Sequence, residues 1–178
     1  MPGGALVAAA LAGVALALPA PAAASPCAGA SSRPAVASRH DLAAATLCLL
    51  NEQRVRHGLR RLAANPRLSK AARGHAVDMA RRNYFSHSSL SGATFLDRIR
   101  RSGYLRRARS WSAGENIAWG SGPLGTPRAI VRAWMRSPGH RANILNRRFR
   151  HIGLGVALDT PVRGLRGATY VHTFGSRR

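Results

Sequence analysis

An uncharged N-terminal stretch limits what this chain can fold into, because it separates a short leader from a remainder of single-domain size. The first 24 residues contain no Lys, Arg, Asp or Glu, and an apolar run from Ala5 to Leu18 is followed by prolines and by Ala22-Ala23-Ala24. This order is typical of a secretory signal peptide with small residues at its cleavage site, so we predict a signal at residues 1–24, cut before Ser25. About 150 residues then remain, which is enough for one domain with one core and too few for two.

The leader also bears on membrane attachment. Its apolar run is shorter than the roughly 20 residues that a membrane-spanning helix needs. An uncleaved anchor is the alternative, since the leader carries no positive charge beyond its amino terminus. No later stretch is long and apolar enough to span a membrane, so we expect no transmembrane span after signal cleavage and a secreted, extracellular protein.

Two cysteines, Cys27 and Cys48, are the only ones in the chain. In an oxidising compartment an even count indicates one disulfide, which would tie the mature N-terminus to the first helix. The alternative is a pair of unpaired thiols. Residues 28–39 are rich in Ala, Ser and Pro, so we predict a flexible N-terminal segment at 25–40 and a folded domain at 41–178.

The chain is strongly basic, with 28 Lys and Arg residues against six acids and a formal net charge of +22. Such a charge attracts polyanions at low ionic strength. The basic residues are spread along the sequence and are not clustered with aromatic residues. We therefore expect non-specific attraction to an anionic cell envelope and no nucleic-acid partner.

Hydrophobic periodicity predicts a layered α/β domain. One predicted helix places His75 on its apolar face, where a histidine is more often a packed, hydrogen-bonded core residue than a ligand. The predicted helices lie at 41–57, 65–83 and 94–101 and from 126 to a break at 137–139, and the extended segments lie at 116–119, 151–158 and 168–174.

Three titratable residues lie at breaks in this pattern. Glu115 is one of two glutamates and lies between turn residues and an apolar run. His87 follows Tyr84-Phe85-Ser86 on a loop that leaves the second helix, and His140 lies just past the break at Ser137-Pro138-Gly139. Because all three lie beside the predicted sheet, we expect them to line a shared cleft.

The order and the residues of the motifs resemble those of the CAP superfamily, in its compact bacterial secreted form. This superfamily is the cysteine-rich secretory protein, antigen 5 and pathogenesis-related-1 group, whose members share an SCP-like domain. The resemblance covers nearly all of the mature domain. It is carried by Leu50-Asn51-Glu52-Gln53-Arg54, Ala76-Val77-Asp78-Met79-Ala80, Tyr84-Phe85-Ser86-His87, Gly114-Glu115-Asn116-Ile117, residues 134–145, Ile152-Gly153-Leu154-Gly155-Val156 and Phe174-Gly175.

This resemblance implies an α-β-α sandwich with a central antiparallel sheet flanked by helices. It also implies a cleft lined by two histidines and two acids, which in some members holds a divalent metal. By motif, His87, Glu115 and His140 take three of these places. Ser137 stands where eukaryotic members carry the fourth residue, an acid, and this departure weakens the case for a metal.

Two imidazoles and a carboxylate would suit Zn²⁺, and Mg²⁺ is a second possible ion. However, none of the seven histidines shows the H-E-x-x-H spacing of many zinc hydrolases. The alternative is a hydrogen-bonded, partly ionic network that fastens loops to the sheet. A serine nucleophile at Ser86 or Ser137 is a weaker hypothesis, because adjacency in sequence does not establish a triad.

Two functions therefore stay open. The favoured one is a non-catalytic binding or interaction module at or outside the cell envelope, whose cleft holds an unknown lipid, peptide or wall polymer. The alternative is a metal-assisted hydrolase of a peptide or envelope substrate. In that enzyme Glu115 would act as general base, and His87 and His140 would hold the ion.

Overall fold

The structure is a computed structural model that describes residues 27–178, so the predicted signal at 1–24 lies outside the described residues. The described part folds into five α-helices and four strands, with one short 3-10 helix at Gly122–Gly125. In chain order the elements are α1 (Arg39–Arg56), β1 (Ala63–Ala64), α2 (Pro66–Arg82), α3 (Phe95–Arg101), β2 (Trp111–Gly120), α4 (Pro127–Arg136), α5 (Pro138–Ile144), β3 (His151–Ala157) and β4 (Ala168–Arg177).

The four strands form one sheet in the order β1-β3-β4-β2. β4 pairs antiparallel with both β3 and β2, whereas the two-residue β1 pairs parallel with β3. α2 packs on one face of the sheet with α3 beside it, and α1, α4 and α5 lie on the other. This confirms the predicted α-β-α sandwich, and the one departure from an antiparallel sheet is β1.

Each face of the sheet has its own apolar core. On the α2 face, Ala72, Ala76 and Met79 pack against Val171 of β4. The approach is so close that a Cβ added at Gly155 of β3 would lie 2.3 Å from the carbonyl carbon of Ala72, so only glycine fits there.

The opposite face holds the larger core. Leu42, Leu49 and Leu50 of α1 pack in one cluster with Tyr170 and Phe174 of β4. Their spacing is that of one helix face, as the sequence predicts.

Two polar residues of α1 hold neighbouring loops. Asn51 and the backbone of Leu62 exchange two hydrogen bonds, at 3.1 Å and 2.7 Å. The side chain of Arg54 is buried and donates to the carbonyls of Arg60 at 2.8 Å and Ile144 at 2.7 Å. Hydrogen bonds with the backbone therefore explain the polar residues at positions 51 and 54.

The segment before α1 differs from the loosely ordered one that composition predicts. Cys27 and Cys48 form the predicted disulfide, and Cys27 and Ala30 are both buried. The backbone N–H of Arg128 donates to the carbonyl of Ala30 at 2.8 Å. The bridge and these contacts hold the segment against the domain, and Ser38 caps α1.

Two other predicted boundaries need correction. Their basic, Ser-rich composition predicts a loop at residues 106–112, before the extended segment predicted at 116–119, but β2 already begins at Trp111, since β4 pairs along its whole length. The sequence predicts a break at 137–139 with His140 just past it and no further helix, but His140 lies in helix α5, which begins at Pro138. Proline is favourable at a first helical position because no N–H is needed there. No helix within residues 27–178 combines the length and apolar character that a bilayer span requires.

Candidate functional site

The three candidate residues meet around β2, which forms one edge of the sheet. Successive side chains of a strand point to opposite faces. Glu115 accordingly contacts the loop after α2 and helix α3, whereas Asn116 contacts α5. The His87 loop and α5 thus approach the same strand edge from opposite faces, and we call the region between them the cleft.

Glu115 is the buried centre of the first side of this cleft. Its side chain is 1% exposed, and both of its carboxylate oxygens accept from Nη2 of Arg98 at 3.0 Å. Nδ1 of His87 lies 2.9 Å from Oε1 of the same carboxylate, and the His87 side chain is 51% exposed. The carboxylate of Glu115 therefore has two nitrogen partners, the guanidinium of Arg98 and the imidazole of His87.

Arg98 also shapes the loop that carries His87. It donates to the carbonyls of His87 at 2.8 Å and Ala93 at 3.1 Å, and to Oγ of Ser89 at 3.2 Å. Sequence reasoning missed this residue. Two signals could have indicated it. A buried carboxylate needs a cationic or hydrogen-bonding partner, and Arg98 directly precedes the inward-facing Ile99.

His140 lies on the other side of the cleft. Its Nδ1 is 2.9 Å from Oγ of Ser137, and its carbonyl accepts from Nδ2 of Asn116 at 3.0 Å. Burial and the nearby His87 lower the pKa of His140, which favours its neutral form. Ser137 thus orients His140 through an uncharged group.

An asparagine pair fastens α5 to β2. Nδ2 of Asn143 donates to the backbone carbonyl of Glu115 at 3.2 Å and to Oδ1 of Asn116 at 2.9 Å. A Cβ at Gly114 would lie 2.8 Å from Oδ1 of Asn143, so the glycine leaves room for this contact. The motif at 114–117 and the motif at 134–145 are therefore complementary parts of one site.

Two further histidines are buried near the cleft. His75 is 1% exposed and its Nε2 lies 2.8 Å from the carbonyl of Ser86, which confirms the predicted core role. His172, which sequence reasoning missed, is fully buried with no hydrogen-bond partner for either ring nitrogen. Burial lowers the pKa of His172 to about 3. The ring of Trp134 lies 4.8 Å from that of His172 and 6.3 Å from that of His140.

The cleft residues do not fit a divalent metal. Both oxygens of Glu115 already accept from a guanidinium, whose positive charge opposes a cation at the same place. Within residues 27–178, one group of three potential ligand residues has its ligand atoms within 4.8 Å of one another, and it consists of Cys27, Cys48 and Glu52. Its two sulfurs are bonded to each other as a disulfide, so neither is a thiolate ligand.

A serine triad is also not formed by the described residues. Oγ of Ser86 accepts from the N–H of Ser88 at 3.1 Å. Ser137 does contact His140, but no carboxylate in the described part of the chain hydrogen-bonds to that imidazole to orient it. A nucleophile, a base and an orienting acid are all needed for triad chemistry.

Several known proteins resemble this chain. The uncharacterised protein YkwD of Bacillus subtilis is 43% identical over 107 residues, covering 60% of this chain and 39% of YkwD. The uncharacterised membrane protein YlbC of the same species is 39% identical over 112 residues, covering 62% of this chain and 30% of YlbC. The chain thus spans well under half the length of these two relatives.

Solved structures resemble it as well. An extracellular protein containing an SCP domain from Bacillus anthracis is 34% identical, with a TM-score of 0.58 over 72% of this chain and 38% of that one. An outer surface protein of Borrelia burgdorferi shares the fold at 24% identity, with a TM-score of 0.61 over 74% of this chain and 90% of that one. Residues 47–173 match the family described as CAP, cysteine-rich secretory protein family. Since this match covers more than half of the chain, the protein belongs to the cysteine-rich secretory protein (CAP) family.

Proposed function

We propose that this protein is exported and acts outside the cell as a non-catalytic binding module, with its ligand held in the cleft between His87 and His140. The uncharged leader at 1–24 and the disulfide support export. Its likeness to an extracellular protein of Bacillus anthracis supports the same location.

The Arg98–Glu115 contact carries the proposal that the cleft binds without catalysing. A general base needs a carboxylate oxygen that is free to take a proton from a reacting group. Here both oxygens of Glu115 accept from Arg98, and one also contacts His87. The carboxylate is therefore suited to holding the His87 loop and α3 in place, which favours a preformed surface for a ligand.

The exposed side chains near the cleft favour an amphipathic ligand. His87 offers a half-exposed imidazole, and Phe85 and Leu90 on the same loop are 46% and 55% exposed. Apolar surface beside a few hydrogen-bonding groups is the usual make-up of a ligand site. A lipid or an apolar peptide has the matching combination of groups.

Metal-assisted hydrolysis is the less favoured function. It would require Glu115 to exchange its Arg98 partner for a metal ion or a catalytic water. That exchange would leave the Arg98 guanidinium, which is 9% exposed, without its carboxylate. An unpaired buried charge is costly, so this rearrangement is unfavourable.

Titration followed by ¹⁵N NMR tests the proposal. We would add a lysophospholipid below its critical micelle concentration, or an apolar tetrapeptide, and expect shifts at residues 85–90 and at His140 with no product formed. His87→Ala should weaken binding about fivefold, the effect of one lost hydrogen bond. His40→Ala, at a side chain that is 90% exposed on α1, should leave the affinity unchanged.

Each result has a clear meaning. Binding of either probe at the cleft without turnover supports the role of a binding module. The probe that binds more tightly identifies the ligand class. Hydrolysis of either probe, with or without added Zn²⁺, would refute the non-catalytic role. Shifts confined to other surfaces, or no shifts with either probe, would refute the cleft as the site for amphipathic ligands.

A further inference from the structure

One end of the sheet carries a dense group of arginines. A depression of about 410 Å³ lies where β2 begins and β4 ends, and it is lined by five arginines, three serines and Trp111. All five arginines are exposed. They are Arg147, Arg148, Arg150, Arg177 and Arg178.

A second depression adjoins the first. It measures about 630 Å³ and shares Arg177 and Arg178 with its neighbour. It adds Arg67, Arg106 and Arg107, which are also exposed. We call the two depressions together the arginine surface. Arginines that are far apart in the sequence thus converge in space, a clustering that the sequence alone did not indicate.

No acidic side chain from the described part of the chain lines this surface. Within residues 27–178, the arginine–carboxylate pairs involve Arg82, Arg98 and Arg100, none of which lies on the arginine surface. Uncompensated like charges repel one another and attract anions, so a bound anion would relieve the repulsion.

Two of these arginines are held in place, Arg178 by backbone hydrogen bonds and Arg177 by an aromatic ring. The N–H of Arg178 donates to the carbonyl of Ser110 at 3.0 Å, and the carbonyl of Arg178 accepts from the N–H of Arg109 at 2.7 Å. The guanidinium of Arg177 lies 5.4 Å from the centre of the Tyr104 ring. The backbone at Arg178 and the guanidinium of Arg177 are therefore already positioned, so ordering them costs less entropy when an anion binds.

The first depression also offers groups that suit a sugar. Trp111 is 43% exposed, which leaves part of an aromatic ring for stacking against a pyranose face. Ser112 and Ser176 lie at its edge, with their hydroxyl oxygens 2.8 Å apart. An aromatic platform beside hydroxyls and guanidinium groups combines stacking with hydrogen bonds to a charged, hydroxylated chain.

We propose that the arginine surface binds a linear anionic glycopolymer of the cell envelope, with phosphate or carboxylate groups in the two depressions and a sugar ring on Trp111. Two concave sites in a row suit a chain with repeated charges better than a flat bilayer. The site is separate from the cleft, because Trp111 precedes Glu115 by four residues of β2, or about 13 Å along the strand. The choice of an envelope polymer rests on the proposed export.

Calorimetry at low salt tests the surface with a glycosylated poly(glycerol phosphate) and with polygalacturonate, which present phosphate and carboxylate groups respectively. The site variant is Arg107→Gln/Arg148→Gln/Arg178→Gln. The control Arg56→Gln/Arg61→Gln/Arg132→Gln removes the same charge elsewhere. All six side chains are exposed and make no hydrogen bond within the described residues.

The site variant should bind the preferred polymer about tenfold more weakly, and the control should bind it within about twofold of the parent protein. Equal losses in the two variants would show that net charge alone is responsible and would overturn the proposal. Failure of the parent protein to bind either polymer, or tighter binding to duplex DNA or to anionic vesicles, would overturn it too.

A second variant isolates the sugar contact. Trp111→Ala should weaken binding of the preferred glycopolymer but leave binding of inorganic polyphosphate unchanged, because polyphosphate has no ring to stack. Equal effects on both probes would overturn the role of Trp111. The cleft titration with lysophospholipid should be the same in all these variants, so the two proposals fail or succeed independently.

Discussion

The guanidinium of Arg98 and the carboxylate of Glu115 form a buried ion pair beneath the cleft, in which one nitrogen, Nη2, lies 3.0 Å from each carboxylate oxygen. The two side chains are 9% and 1% exposed. Since the same guanidinium donates to the carbonyls of His87 and Ala93, the pair connects β2, α3 and the loop between α2 and α3. The arrangement of the cleft therefore depends on Arg98, which is buried beneath its surface.

Replacing Arg98 by Met should lower the free energy of unfolding by about 3 kcal/mol or more, because a buried carboxylate would lose its main partner. Arg100→Met is the matched control on the same helix. The pair of Arg100 with Asp97 has side chains that are 58% and 42% exposed, so its loss should cost less than about 1 kcal/mol.

Urea denaturation of the two variants measures this difference. Equal, small costs would mean that the pair contributes little and that Glu115 is available for another partner. A second measurement keeps the test informative if Arg98→Met does not fold: Arg98→Met/Glu115→Met should recover part of the loss, since no charge is then left buried without a partner.

Much of the architecture follows from local sequence signals. Asn65-Pro66, a capping residue followed by proline, indicates the start of α2, and the helical spacing of Leu68, Ala72 and Met79 indicates its buried face. The exported context predicted the pairing of Cys27 with Cys48. These features depend on neighbours in sequence or on a cysteine count, so they need no knowledge of the tertiary structure.

Other features depend on contacts between distant residues. Arg98 resembles every other arginine in the chain until the fold places it against Glu115. The start of β2 at Trp111 contains Ser and Gly and resembles a loop, and only pairing with β4 makes it a strand. His172 lies in a strand rich in Thr, Tyr and Val, where nothing local indicates that its ring nitrogens lack partners.

Gly114→Ala should destabilise the protein by about 1–3 kcal/mol, the usual cost of forcing an extra methyl group into a packed site. The added Cβ would lie 2.8 Å from Oδ1 of Asn143 and 3.1 Å from Cζ of Phe149. Gly139→Ala is the control, because a Cβ there would have no atom within 4 Å beyond its chain neighbours and its own helix backbone. Thermal unfolding of both variants is the measurement, and a Gly114→Ala protein as stable as Gly139→Ala would show that α5 shifts freely away from β2.

Removing the disulfide by Cys27→Ser/Cys48→Ser should lower stability by about 3 kcal/mol, the value expected for a loop of this size. For a domain of about 150 residues this corresponds to a fall of roughly 10 °C in Tm. Calorimetry with and without a reductant checks the result, since the reductant should lower the Tm of the parent protein and leave that of the variant unchanged. An unchanged parent Tm on full reduction would show that the bridge contributes nothing to stability.

His172 should make the protein sensitive to acid. Its pKa is about 3 in the folded protein, where burial excludes the charged form, against about 6.5 when unfolded. Between these two values the unfolded state binds a proton that the folded state does not. The stability contribution of neutral His172 is therefore fully present above about pH 6.5, and it is lost at about 1.4 kcal/mol per pH unit as the pH falls toward 3.

His172→Leu tests this contribution, because leucine cannot be protonated. His75, His140 and His151 also have lowered pKa values, owing mainly to burial, and they remain in both proteins. Only the difference between the two proteins therefore reports on His172. Urea unfolding from pH 7 to pH 4.5 should give a steeper loss of stability in the parent than in the variant, by about 1.4 kcal/mol per pH unit below pH 6. Parallel curves, whatever the offset at pH 7, would mean that the pKa of His172 is the same in the folded and the unfolded protein. Its ring would then accept a proton as readily inside the protein as outside.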